Sequence, residues 1–242
     1  MAVSARRLPE NPLISPADLA PLDPSWEVVC TFNAGAATYR DETLLLVRVA
    51  ERPKPSTPQA AGMLLQLTGI KPATDLARVD ASPGDFIAIP LLDVTGGTPH
   101  VVARYVRADT PDLDTTDPRM VKHGRETYLT SISHIRLARS LDGVHFDVGK
   151  DAVLWATDPL EEFGVEDPRI TEIDGAYYVN YTAVSRHGIA TALAVTSDFE
   201  TFEKRGVIFC PENRDVAIFP EKIGGRYAAL HRPVPNVIGA PA

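Results

Sequence analysis

Phe163-Gly164-Val165-Glu166-Asp167-Pro168-Arg169-Ile170-Thr171-Glu172-Ile173-Asp174-Gly175-Ala176-Tyr177-Tyr178-Val179-Asn180-Tyr181 reads as a charged edge, a strand, a tight turn and a second strand. The turn is Asp174-Gly175, two residues that both tolerate positive φ, set between runs rich in β-branched and aromatic side chains. The proline stands at the strand entry, where its fixed φ and missing N–H do least harm to a ladder.

The same plan recurs. Fifty residues earlier stands Asp117-Pro118-Arg119, an offset that also carries Tyr128 onto Tyr178. Fifty residues later, Ile223-Gly224-Gly225-Arg226-Tyr227 falls on Ile173-Asp174-Gly175-Ala176-Tyr177. A weaker copy near the start has Asn33-Ala34-Gly35 in place of Asp-Pro-Arg, and Tyr39 to Thr43 in place of the turn. A second block travels with the first: Ala138-Arg139-Ser140-Leu141-Asp142-Gly143-Val144-His145-Phe146 matches Ala194 to Phe202. Each copy of that block reads as a strand, a Ser-x-Asp or Ser-Asp turn and an aromatic opening the next strand. β-Hairpins resemble one another by chance, but a fixed offset that includes charged residues asks for more. Each unit then holds about four short strands in roughly fifty residues, the content of one propeller blade. The expected class is all-β, a single β-propeller domain over residues 1–242. In such a fold Asn33, Asp117, Asp167 and Phe219-Pro220-Glu221-Lys222 become equivalent positions that converge on one axis.

Composition narrows the function. The chain has 242 residues, 44% of them hydrophobic, and a net charge of −8. That balance argues against nucleic acid as a partner, since phosphate backbones favour basic faces. Met1 to Leu13 carries arginines but no apolar h-region, and apolar runs such as Leu44-Leu45-Leu46-Val47 are too short to span a bilayer. The expectation is a soluble cytoplasmic protein with no membrane partner; a homo-oligomer is compatible with the sequence. Cys30 and Cys210 lack metal-ligand spacing and read as buried thiols, with a disulfide between them left open.

Proline-rich residues 1–30 read as an extended leader. Strands are expected at Trp26 to Phe32, Leu44 to Val49, Phe86 to Pro90 and Val101 to Val106. Turns are expected at Gly69, Pro83-Gly84 and Gly96-Gly97, and a proline-imposed loop over Arg52 to Pro58. The long gap from Asn33 to Asp117 implies an insertion in the first unit. By the repeat count the fourth unit is less than half complete at Ala242. About three and a half blades are therefore expected, with C-terminal blades missing.

Three carboxylates, Asp117, Glu166 and Asp167, stand first among candidates for chemistry. The plainer reading of each is a turn cap, or for Asp167 a local pair with Arg169. The cations Arg48, Arg52, Lys54, Arg119, Arg136, Arg139, Arg169, Lys222, His231 and Arg232 concentrate in the repeat motifs of an acidic chain, which points to an anion site. The six histidines show no zinc spacing, so no metal is expected. No Gly-x-Ser-x-Gly, phosphate-cradling loop or dinucleotide fingerprint occurs.

Phe32-Asn33-Ala34-Gly35-Ala36, Arg48-Val49-Ala50-Glu51, Asp117-Pro118-Arg119, Tyr128-Leu129-Thr130-Ser131, Glu166-Asp167-Pro168-Arg169-Ile170, Phe219-Pro220-Glu221-Lys222-Ile223 and Leu230-His231-Arg232-Pro233 together resemble glycoside hydrolase family 130. The resemblance runs from about Asn11 to Pro233 and is nearest to the branch acting on β-1,2-linked mannobiose and oligomannans. It implies a five-bladed propeller and an inverting phosphorolysis of β-mannosides to α-mannose 1-phosphate. Inorganic phosphate is then co-substrate, and no cofactor is implied. By the same resemblance Asp117 matches the proton donor, acting through the mannosyl 3-hydroxyl. Asn33 and Arg48, with Asp167, match positions that hold the mannosyl unit. Arg169, Lys222 and His231 match the phosphate set, which either Arg52 or Lys54 completes. Phosphate is already an anionic nucleophile and needs cations to hold it in line, whereas a hydrolase needs a carboxylate to activate water. The alternatives are an inverting β-mannosidase, an inactive sugar-binding propeller fragment, and a furanosidase-like hydrolase using three carboxylates. Segment 55–110 matches the family poorly, so acceptor-site residues are not carried over.

Overall fold

Apolar residues at consecutive positions, as in Leu44-Leu45-Leu46-Val47, suit a strand with both faces covered. In the computed structural model, which describes residues 7–59, 63–67 and 82–233, that run lies inside. Strands β1 (Trp26–Tyr39), β2 (Glu42–Pro53), β8 (Ile132–Ser140) and β9 (Asp147–Leu154) form one antiparallel sheet in that order. A second is built from β10 (Val165–Ile173), β11 (Ala176–Ser185), β12 (Gly188–Thr196) and β13 (Glu203–Phe209). Strands β14 (Asn213–Ile218) and β15 (Ala229–Pro233) pair as a hairpin. Two smaller sheets lie between β2 and β8: β3 (Phe86–Asp93) with β4 (His100–Arg107), and β5 (Leu113–Asp114), β6 (Met120–His123) and β7 (Glu126–Leu129). Among the described residues there is no α-helix, and no helix long and apolar enough to cross a membrane.

The two large sheets pack face to face. Leu44, Leu46, Ile135, Leu137 and Leu154 of the first meet Val165, Tyr177, Val179, Tyr181 and Phe199 of the second sheet and its β12–β13 turn. Ala183, Ala192 and Ala194 in the same cluster leave room for those rings, so large and small side chains interdigitate. The other face of β2 presents Leu45, Val47 and Val49, which the leader covers with Ile14 and Leu19. The leader is also tied by hydrogen bonds: Thr31 Oγ1 donates to the Ile14 carbonyl at 3.2 Å, and Leu22 N donates to the Glu51 carboxylate at 3.1 Å. β1 begins at Trp26, so the irregular leader ends at residue 25 rather than 30.

Much of the strand reading matches. Asp174-Gly175 turns between Ile173 and its partner Ala176, and Ile223 pairs with Arg226 across Gly224-Gly225. The second repeated block holds in detail. Ser140 Oγ accepts from Gly143 N while Asp142 caps Val144 N and His145 N; Thr196 Oγ1 accepts from Phe199 N while Asp198 caps Glu200 N and Thr201 N. Both blocks join the third strand of a large sheet to its fourth.

The Asp117 copy differs. β6 and β7 belong to the three-stranded sheet, and β2 pairs directly with β8, so residues 54–131, Asp117 among them, are an insertion into the first large sheet. The offset of fifty therefore does not make Asp117 the counterpart of Asp167. Cys30 and Cys210 are free and exposed rather than buried; Cys30 lies on β1 beside an irregularity between Val28 and Cys30. The expected turn at Gly69 lies outside the described residues.

Gly164 joins the two large sheets. It forms a parallel bridge to Ser133, its φ is +110°, and a Cβ there would stand 2.5 Å from the Ser133 carbonyl oxygen. Gly164→Ala is expected to lower stability by about 2–4 kcal/mol, combining backbone strain with overpacking. A urea-unfolding midpoint shift worth under about 0.5 kcal/mol would contradict this role for the bridge.

Candidate active site

Three first strands carry the same irregularity. The pairing register slips between Phe32 and Gly35 in β1, between Glu166 and Arg169 in β10, and between Arg214 and Ala217 in β14. Each slip contains one residue in the left-handed region: Asn33 at φ 49°, Asp167 at 50° and Asp215 at 56°. Asn and Asp are the non-glycine residues that accept this conformation most readily. A bulge re-aims its side chain, and here all three border one cavity of about 650 Å³. Ala34, Gly35, Pro168, Arg169 and Thr171 also line it. The first strands approach so closely that a Cβ at Gly35 would lie 2.6 Å from the Pro168 carbonyl oxygen.

Asn33 and Asp167, far apart in sequence, meet: Asn33 Nδ2 donates to Asp167 Oδ1 at 2.9 Å. Arg48, opposite Phe32 on β2, supplies the rest of the clamp. Its Nη1 donates to Asp167 Oδ1 at 2.8 Å, its Nη2 to Glu166 Oε1 at 2.5 Å and its Nε to Ser133 Oγ at 3.0 Å. The Phe32 ring lies 4.1 Å from the guanidinium carbon. Burial raises the Glu166 carboxyl above its ordinary value against the opposing charge of Arg48, and the neighbouring Asp167 raises it further.

At the third bulge, Asp215 Oδ2 accepts from Arg232 Nε at 2.8 Å and from Arg232 Nη2, and Oδ1 lies 3.5 Å from Arg169 Nη2. Burial works to raise the Asp215 carboxyl, but the Arg232 hydrogen bonds and the charges of Arg232, Arg169 and Arg214 together hold it below the usual range. Arg169 therefore pairs with Asp215 and not, as a local reading of Asp-Pro-Arg suggests, with Asp167.

The remaining expected residues are not among those bordering this cavity. Asp117 sits in a turn where its carboxylate accepts from Arg119 N at 3.0 Å, Nε at 3.0 Å and Nη2 at 2.7 Å. Arg119's side-chain hydrogen bonds first, then its backbone N–H, draw Asp117 down to about 2, and it is not among the residues bordering the 650 Å³ cavity. His231 stacks on Phe209 at 4.9 Å, with Asn213 Nδ2 at 2.9 Å from its Nδ1. Lys222 lies over the Tyr227 ring at 4.9 Å. At the far end of β2, Arg52 donates to Glu27 at 2.6 Å and Lys54 to the Pro24 carbonyl at 2.9 Å. Among the described residues no cluster of three or more His, Cys, Asp or Glu could hold a metal ion.

Sequence reasoning missed Asp215 and Ser133. The sequence reading put Phe219-Pro220-Glu221-Lys222 at that equivalent place; the bulge is instead at Asp215, because bulge and turn are two residues farther apart in the third copy than in the second. A buried array, Glu51–Arg136–His134, was also missed as a unit. Arg136 donates to Glu51 at 2.8 Å and to His134 Nε2 at 3.0 Å, and burial, with the Arg136 charge, lowers His134 to about 3. With Ser133, Trp26 and Trp155, Glu51 and His134 border a second cavity of about 200 Å³.

With this geometry in place, comparison with known proteins is informative. The family model for glycoside hydrolase family 130, described as β-1,4-mannooligosaccharide phosphorylase, matches residues 117–238. The chain is 40% identical over 237 residues to a β-1,2-mannobiose phosphorylase of Listeria innocua, covering 96% of this chain and 59% of that protein. It is 36% identical over 110 residues to a 1,2-β-oligomannan phosphorylase of a Thermoanaerobacter species, covering 44% of this chain and 37% of that one. The solved complex of the Listeria innocua enzyme with β-1,2-mannobiose superposes with a TM-score of 0.79, over 96% of this chain and 59% of that one. The chain thus spans about three fifths of the length of that relative.

Arg48→Met strands two carboxylates, Glu166 and Asp167, beside the cavity and is expected to cost about 3–5 kcal/mol at neutral pH. Because Glu166 is raised in the folded protein, the stability linked to its protonation is full below the ordinary value of 4.5 and fades as pH rises through the raised one. Loss of Arg48 raises it further, so the variant's deficit shrinks on acidification from about pH 7 to about pH 5. Denaturant titrations across that range check both points; a deficit below about 1 kcal/mol, or one flat with pH, contradicts the clamp.

Proposed function

The chain belongs to glycoside hydrolase family 130, and from that premise we propose that it acts as an inverting phosphorylase of β-mannosides. The substrates are β-1,2-linked manno-oligosaccharides and inorganic phosphate, and the product is α-mannose 1-phosphate. The observation that carries this reading is one cavity with two chemically distinct walls. A neutral and anionic wall, Asn33 and Asp167 braced by Arg48, suits the hydroxyls of a mannosyl unit. A cationic wall, Arg169 with Arg232 behind Asp215, suits an oxyanion. The β-1,2 linkage is favoured by what the two relatives are named for.

In the reaction, a phosphate oxygen attacks the anomeric carbon from the face opposite the glycosidic bond. That bond breaks, the leaving oxygen takes a proton, and configuration inverts. Arginines hold phosphate in line, so no general base is needed. The family resemblance, and not the lining of this cavity, assigns Asp117 as proton source, relayed by the mannosyl 3-hydroxyl. In the grip of Arg119 it is a carboxylate at neutral pH, so a bound sugar must displace that guanidinium. Arg119 is 80% exposed, and releasing an exposed pair costs little. Lys222 and His231 complete the phosphate set, with Arg52 or Lys54. The large sheets β1-β2-β8-β9 and β10-β11-β12-β13 are then two blades of a five-bladed propeller, and β14-β15 opens a third.

Hydrolysis is the second reading, because Asp167 and Asp215 both border the cavity and a carboxylate there can activate water. Incubation with β-1,2-mannobiose, followed by ³¹P NMR and free-mannose assay, separates them. α-Mannose 1-phosphate should form only with phosphate present, and Asp117→Asn should slow it by about 10²–10⁴-fold. Mannose released equally with and without phosphate makes the protein a hydrolase. Mannoside binding with no turnover, unchanged by Asp117→Asn, makes it a sugar-binding module.

A further inference from the structure

Resting on the reading of this cavity as an oxyanion site, we propose that Asp215 is its specificity-determining residue, admitting phosphate and rejecting fully ionised oxyanions such as sulfate. Arg232 alone occupies one carboxylate oxygen: its Nε and Nη2 both donate to Oδ2. The other oxygen, Oδ1, stands 3.5 Å from Arg169 Nη2, beyond ordinary N–H···O hydrogen-bond length, so it keeps accepting capacity for a ligand. Asp215 borders the same 650 Å³ cavity as Arg169, and its side chain is 30% exposed.

An oxyanion drawn to Arg169 must therefore share the cavity with a carboxylate that accepts and cannot donate. The Arg232 contacts and the charges of Arg169 and Arg214 keep it ionised at neutral pH. Phosphate carries at least one P–OH under these conditions and can donate it to Oδ1, turning a like-charge contact into a charge-assisted hydrogen bond. Sulfate has no proton to donate, so its oxygen meets Oδ1 as bare repulsion in a partly desolvated site. The same logic gives the site a use for a carboxylate that otherwise only weakens its attraction for anions. Asp167, at the equivalent bulge, is held at its Oδ1 by Asn33 and Arg48 rather than by the arginines around Asp215.

The backbone supplies clean variants. At φ 56°, Asn and Gly both suit position 215, so Asp215→Asn, which loses the charge and exchanges one acceptor oxygen for an N–H donor, and Asp215→Gly, which loses the side chain, both remove the anionic acceptor without straining the bulge. Calorimetric titration of the full chain with inorganic phosphate and with sulfate, in one buffer at neutral pH, reads the ratio of affinities. The wild type is expected to favour phosphate by at least about ten-fold, and both variants to bring the two within about three-fold, chiefly by admitting sulfate. An unchanged ratio in both variants overturns the assignment of Asp215. Equal binding of sulfate and phosphate by the wild type also overturns it, while leaving the oxyanion site standing. No phosphate binding by the wild type removes the site itself, and the proposal with it.

Discussion

The guanidinium of Arg48 is the point on which the arrangement depends. It is rooted in β2 of one large sheet and spends its donors on Glu166 and Asp167 of the next, and on Ser133 between them. A planar fork with fixed donor directions can bind several acceptors only if each is already in place. The surrounding backbone supplies that order. Gly164 bridges to Ser133, Gly35 lets β1 approach β10, and the two bulges turn Asn33 and Asp167 toward each other. Hydrophobic contact between the sheets supplies most of the attraction, while the clamp sets their register at the cavity.

Legibility in the sequence followed the range of the interaction. Asp174-Gly175 and the Ser/Thr-Asp turns after β8 and β12 were readable because their causes are local: φ tolerance in one case, side-chain capping of nearby N–H groups in the other. The double-sided burial of β2 was readable from Leu44 to Val47. Asp117 was misplaced as an equivalent of Asp167 because three identical residues carry no record of which strands they precede. One sits in a turn within an inserted sheet, the other in a strand bulge. A bulge leaves only a faint trace, one Asn or Asp early in a strand, so Asp215, among the polar residues Glu212-Asn213-Arg214, passed unnoticed. Partner choice is fully tertiary: nothing in Asp-Pro-Arg says that Asp167 turns to Arg48 and Arg169 to Asp215.

The site divides its labour by charge. Asn33 and Asp167 border the cavity with amide and carboxylate groups, while Arg169 and Arg232 sit about a carboxylate at the third bulge. The proposed function gives that division a chemistry, transfer of a mannosyl unit to phosphate, which requires little acid–base machinery beyond one proton donor. Asp117 at about 2 is poorly matched to donation while Arg119 holds it, so substrate binding and Asp117's protonation are coupled in this account.

The most direct measurement is a crystal structure of the protein soaked with inorganic phosphate and β-1,2-mannobiose. The account predicts phosphate against Arg169 and Asp215, and a mannosyl ring against Asn33 and Asp167, within one cavity. Phosphate seated away from Arg169, or sugar and phosphate in separate cavities, would contradict it.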